Sequence, residues 1–193
     1  MLGGGCYQGL LSAFQATTNA HGAGSRSILN GARNGDDTSR ALSRLPDILD
    51  WIQRFRRAPN PTPPFSGSGS AFSTSPGKNG DLFLIIGLSL ANQGWNEQTF
   101  LSGMTEIVRQ TRAANVTAIV GGAYANGYKN PAQYAMTKRV NLLLQQRDAP
   151  FVSFMGAIDD GQGGWANGYW RDGGHPNDLG QTEMYVSVRV RVR

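Results

Sequence analysis

Apolar runs and stretches of helical periodicity alternate along this chain. Residues 81–90 (DLFLIIGLSL) form an almost unbroken apolar run, the pattern of a strand buried on both faces of a parallel sheet. Residues 116–121 (VTAIVG) repeat it, and 150–154 read as a last short strand. Between these runs, apolar positions recur every three or four residues. Leu42, Leu45, Ile48, Leu49, Ile52 and Phe55 line one side of residues 38–57, which predicts a helix capped by Asp37 or Thr38 and kinked or restarted at Pro46. A second helix is predicted over about 96–114. A third is predicted over 131–147, with Tyr134, Val140, Leu143 and Leu144 on its apolar side. Upstream, residues 9–15 (GLLSAFQ) read as an amphipathic helix and 25–30 (SRSILN) as a short strand. Strands alternating with helices of this length predict an α/β fold with a parallel sheet.

Residues 58–80 break the pattern. They are rich in Pro, Ser and Gly, as in a surface loop or flexible insertion, and neither flank makes a whole fold that they could link. At 193 residues the chain reads as a single domain, 1–193, with a sizeable core. A content of 39% hydrophobic and 16% charged residues with 26 glycines describes a loop-rich globular chain and excludes a disordered one or a coiled coil. No apolar run approaches the ~20 residues of a membrane span. The opening MLGGGC shows neither the basic nor the apolar segment of a signal peptide. One cysteine excludes an internal disulfide, and one cysteine with two histidines argues against a zinc site.

The formal charge of +5 and a pI of about 9.7 raise the question of a nucleic-acid partner. The arginine clusters at 54, 56, 57 and at 189, 191, 193 carry no interleaved aromatics and follow no reader motif, so they read as solvated faces. Residues 186–193 (VSVRVRVR) alternate with strand period and read as an edge strand, a tail or out-of-frame sequence.

Candidate chemistry gathers in Asp172-Gly173-Gly174-His175-Pro176-Asn177. The two glycines permit a tight turn, and Pro176 suits the first turn of a following helix. Such a turn can fold Asp172 back onto one nitrogen of His175 and leave the other facing outward. An imidazole oriented by a buried carboxylate is what a general base requires. Taken alone, the pair reads equally as a helix-capping Asp and a surface His. In a parallel sheet, binding sites lie in loops at the carboxyl ends of the strands. The loops after Asn30, Leu90 and Phe154 open on that edge and hold Gly35, Asn92, Asp172 and His175.

Those positions resemble the blocks of the SGNH (GDSL-type) serine hydrolases. Asn30-Gly31-Ala32-Arg33-Asn34-Gly35-Asp36-Asp37-Thr38 is similar to the second block, N-x-G-x-S-G-x-T, with Gly35 at the oxyanion-hole glycine. The strand DLFLIIGLSLAN resembles the third block, G-x-N-D, with Asn92 at its asparagine. Here Gly87 lies five residues before Asn92, and Gln93 replaces the aspartate. Asp172-x-x-His175-Pro176-Asn177 matches the fifth block. The resemblance covers about residues 7–185. It implies a three-layer, flavodoxin-like fold with strand order 2-1-3-4-5, and a carboxylic ester hydrolase that needs no metal or organic cofactor. His175 would be the base, Asp172 its orienter, and Gly35 and Asn92 the oxyanion donors. The implied substrates are small-molecule, carbohydrate or lipid esters, acetyl esters and thioesters among them. The family's first block, a strand ending in Gly-Asp-Ser, has no counterpart: its serine would fall at or before Met1. The first strand is therefore expected to be missing, in a truncated or degenerate relative.

Two rivals stand beside this reading. Gly87-Leu88-Ser89-Leu90-Ala91 resembles a degenerate nucleophile elbow, with Ser89, Asp172 and His175 in the chain order of an α/β-hydrolase. Cys6 as nucleophile lacks any neighbour that would lower its pKa. The other rival is a non-catalytic carbohydrate- or acyl-binding module, with Trp95, Trp165, Tyr169 and Trp170 stacking on the ligand where they do not simply pack.

Overall fold

A computed structural model describes residues 35–57, 83–123, 130–166, 168–172, 175–180 and 182–184. The helix expected at 9–15, the strand at 25–30, the insertion at 58–80, Cys6 and the 186–193 tail lie outside them, so the expectation about the first strand is not tested there.

Three strands, β1 (Phe83–Gly87), β2 (Thr117–Gly121) and β3 (Phe151–Val152), form a parallel sheet in the order β1-β2-β3. Phe83 stands opposite Thr117, Gly87 opposite Gly121, and Val120 opposite Phe151. This sequential order is the one the resemblance implies for its last three strands. Around the sheet run α1 (Thr38–Arg57), α2 (Glu97–Ala113), α3 (Pro131–Gln145) and the one-turn α4 (Met155–Ile158).

Strand geometry sends neighbouring side chains to opposite faces, and β2 is buried on both. Ala118 and Val120 join Leu45, Leu49 and Ile52 of α1, Phe100, Met104 and Ile107 of α2, and Val140 and Leu144 of α3 in the main core. Ile119 faces the other way, into a second core with Val152, Phe154, Ile158 and Met184. The sheet is thus the middle of three layers. Each long helix starts on a side-chain cap: Asp37 Oδ1 accepts from Arg40 N at 2.8 Å, Asn96 Oδ1 from Thr99 N at 2.9 Å, and Asn130 Oδ1 from Ala132 N at 3.0 Å.

Two elements differ from expectation. Helix α1 runs through Pro46 without a break. Pro46 is exposed, so the backbone bond it removes is lost on the solvent side, while Leu45, Leu49 and Ile52 stay buried. The strand expected over 150–154 ends at Val152. The backbone then turns, Ser153 Oγ accepting from Gly156 N at 3.1 Å, and the Phe154 ring swings over the carboxyl ends of β1 and β2. A Cβ at Gly121 would lie 2.2 Å from Phe154 Cε2, so glycine there is a packing requirement.

Candidate active site

The loop after β1 and the entry to α1 are stitched together at the carboxyl edge of the sheet. Leu90 begins a tight 3-10 turn, Ala91–Gln93, and the chain then passes through left-handed backbone at Gly94 (φ +61°) and Trp95 (φ +61°). A left-handed tryptophan is strained by roughly 1–3 kcal/mol. It is held by a Trp95 N–H bond to Leu90 O at 3.2 Å and by packing of the ring on the main core. Asn92 Nδ2 donates to Asp36 O at 3.1 Å. Gln93 Oε1 accepts from both Thr38 N (3.0 Å) and Thr38 Oγ1 (2.7 Å). Gly35 therefore sits one residue from the carbonyl that Asn92 holds. It takes the left-handed region (φ +73°), and its own carbonyl accepts from Arg40 Nη1 at 3.3 Å. Asp36, buried at 5% exposure, pairs with Arg44 of α1.

Ser89 stands on the same loop, with Oγ accepting from Ala91 N at 3.2 Å. An elbow nucleophile sits on strained backbone. Among the described residues the only non-glycine positive φ values belong to Trp95 and Asn115, so Ser89 lacks that geometry.

The second constellation is a two-stranded antiparallel hairpin, β4 (Trp170–Asp172) and β5 (His175–Pro176). Asp172 pairs with His175 and Trp170 with Pro176, with a register irregularity between them. His175 Nδ1 lies 2.9 Å from Asp172 Oδ1 and 3.1 Å from Oδ2. An ionised carboxylate only accepts, so this pairing puts a hydrogen on Nδ1, and in the neutral ring the lone pair is then on Nε2. Gly173 and Gly174, expected to make the turn, lie outside the described residues.

Two local expectations change here. The Asp172 side chain is 43% exposed and that of His175 33%, so the orienting carboxylate is half-open rather than buried. Pro176 belongs to β5, and the helical turn begins only after Asn177, whose Oδ1 accepts from Gly180 N at 3.0 Å. Asn177, part of the fifth-block match, has an anchoring role that the match did not assign it. Its Nδ2 donates to Gly168 O at 2.7 Å and its backbone N–H to Tyr169 O at 3.0 Å, which fixes the His-bearing strand against the loop before it. The Pro-Asn pair after the histidine was its visible signal.

That loop is anchored in turn. Trp165 and Tyr169 pack on the second core beside Phe154, whose ring covers the carboxyl ends of β1 and β2. Tyr134 of α3 donates to Asp159 Oδ2 at 2.6 Å, and Asp159 bridges to Trp165. Burial, then the Asp159 hydrogen bond, push the Tyr134 hydroxyl up to about 12. Of the four aromatics considered as ligand platforms, Trp95, Trp165 and Tyr169 serve packing. Trp170, at 56% exposure, is open beside Asp172.

The structure thus joins Asn92 to the Gly35–Asp36 turn and Asp172 to His175, and none of the bonds named here links the two pairs. A concavity of about 730 Å³ lined by Glu97, Leu101, Glu106 and Arg147 contains none of these residues. Among the described residues no three His, Cys, Asp or Glu side chains cluster as metal ligands, and no helix is long and apolar enough to cross a membrane.

No family model and no curated protein sequence matches the chain. Solved structures do. TesA superposes with a TM-score of 0.67 at 16% identity, over 96% of this chain and 88% of its own. A GDSL-like lipase from Bacteroides thetaiotaomicron gives 0.64 at 12%, covering 96% and 82%. A Bacteroides fragilis protein described as an acylhydrolase gives 0.65 at 14%, covering 96% and 81%. With a parallel sheet between two layers and its sequential strand order, the chain has the α/β fold of the GDSL-type (SGNH) hydrolases.

Proposed function

We propose that this fold serves a serine ester hydrolase acting on acyl or acetyl esters, carbohydrate and lipid esters among them. The observation that carries the reading is the His175 Nδ1 bond to the Asp172 carboxylate, which leaves Nε2 as a base. In this reading Nε2 takes the proton of a serine hydroxyl as its oxygen attacks the ester carbonyl. The carbonyl oxygen becomes an oxyanion held by the Gly35 backbone N–H and by the Asn92 N–H that does not hold Asp36 O. Collapse expels the alcohol, protonated from His175, and leaves an acyl-serine. Water, deprotonated by the same nitrogen, then releases the acid. No cofactor enters any step.

The serine is the part the sequence does not supply in the family's form, since it holds no Gly-Asp-Ser. The exposed Trp170 ring supports one second reading, a binding module in which it stacks on a ligand. Hydrolysis of p-nitrophenyl acetate separates them. A chain extended upstream by a strand ending in Gly-Asp-Ser is expected to turn over. His175→Ala should lower kcat by about 10²–10⁴-fold, and Asn92→Ala by about 10²–10³-fold. Turnover indifferent to both substitutions, or none in the extended chain, would leave the binding module.

A further inference from the structure

The oxyanion donors assigned above, Gly35 and Asn92, lie 57 residues apart in sequence, and a donor works only if it is aimed before the charge develops. What aligns these loops is not the donors themselves. Gln93, next to Asn92, reaches across with one oxygen and takes both hydrogen bonds that Thr38 offers, from its N–H and from its hydroxyl. Thr38 is 2% exposed, so neither group has water as a substitute partner, and releasing Gln93 strands two buried donors. Thr38 is in turn pinned from behind. A Cβ added at Gly103 of α2 would lie 2.3 Å from Thr38 Oγ1 and 2.4 Å from Thr38 Cβ, so α1 seats against α2 only because residue 103 has no side chain.

We propose that Gln93 is a positioning residue: through Thr38, backed by Gly103, it sets the distance between the Gly35 N–H and the Asn92 amide. This rests on the ester hydrolase reading for what the donors do, and on the hydrogen bonds alone for the tether. The Gln93–Thr38 bonds fix Thr38, three residues from Gly35, while the Asn92–Asp36 bond fixes the residue next to it. Two anchors define a register where one would leave a hinge. Gln93 stands where the family pattern has an aspartate. The contact needs an acceptor, and an amide oxygen accepts as a carboxylate does.

The tether is read without substrate in the chain itself. Gln93→Leu is expected to raise hydrogen exchange at the Thr38 amide by at least about tenfold and to shift the Asn92 side-chain amide resonances. Gly103→Ala, whose added methyl meets Thr38 first, should shift the same resonances. An unmoved Asn92 amide in the two variants overturns the proposal. The catalytic consequence is read on p-nitrophenyl acetate with the Gly-Asp-Ser-extended chain. Gln93→Leu should lower kcat about tenfold with KM unchanged, and Gln93→Glu, of equal length and still an acceptor, should return kcat to within about twofold. A helix-capping role alone would lower Tm in Gln93→Leu and leave the kcat of the folded protein untouched, which contradicts positioning. If the extended wild-type chain itself does not turn over, the hydrolase reading fails, while the exchange measurement still decides the tether.

Discussion

At the scale of single residues, the site depends on polar side chains that tie one loop to another. Asn92 holds Asp36 O with one N–H, Gln93 receives two bonds from Thr38, and Asn177 ties down Gly168 O while capping Gly180 N. His175 and Asp172 are the exception in being half-open, which leaves the imidazole accessible to a substrate arriving from solvent. Tyr134 offers a separate test of this wiring through pH. Its folded value near 12 lies above the ordinary 10, so the folded state holds the phenolic proton more tightly than the unfolded chain. The contribution of Tyr134 to stability is therefore fully present below pH 10 and is lost as pH climbs through 12. Denaturant unfolding measured across that window should show a fall in stability that Tyr134→Phe removes. At neutral pH the same substitution should cost about 1 kcal/mol, since the Asp159 carboxylate loses its donor. Identical alkaline profiles for the two proteins would refute the assignment.

At the scale of elements, burial decides what the local code leaves open. Helix α1 keeps its hydrogen-bonded course through Pro46 because Leu45, Leu49 and Ile52 bury against α2 and the sheet. An interior proline costs a helix roughly 3 kcal/mol, and part of that is offset by the stiffer unfolded chain. Pro46→Ala should consequently stabilise the protein by about 1–3 kcal/mol, seen as a higher denaturant midpoint at constant m-value. A lower midpoint would show that the proline relieves a strain. The strands and long helices were legible because each bears a continuous or periodic apolar signature over many residues: DLFLIIG, VTAIVG and the Leu42-to-Ile52 stripe. The end of β3 was not, because Phe154 continues the apolar run in sequence while its ring is claimed by the glycines of two other strands. Nor was the strand at His175–Pro176, where proline suggested a helix start and pairing with Trp170–Asp172 prevailed.

At the scale of the whole molecule, a parallel sheet gathers the carboxyl ends of its strands on one edge, and the chain places its polar loops there. The Asp172–His175 pairing was readable from a three-residue spacing, since both partners lie in one local turn. The bond from Asn92 to Asp36, and that from Gln93 to Thr38, join positions more than fifty residues apart and exist only because α1 packs beside the loop after β1. Sequence spacing carries no trace of such contacts; resemblance to blocks of a known family stood in for them at Gly35 and Asn92. It did not indicate what Gln93 does in place of an aspartate.

The most direct test of the hydrolase assignment is intact-mass analysis after treatment with a fluorophosphonate, followed by peptide mapping. The assignment expects one adduct in the chain extended by a Gly-Asp-Ser strand, located on the added serine and abolished by His175→Ala, with Ser89 unmodified. An adduct on Ser89, or labelling of the added serine that survives loss of His175, would contradict it.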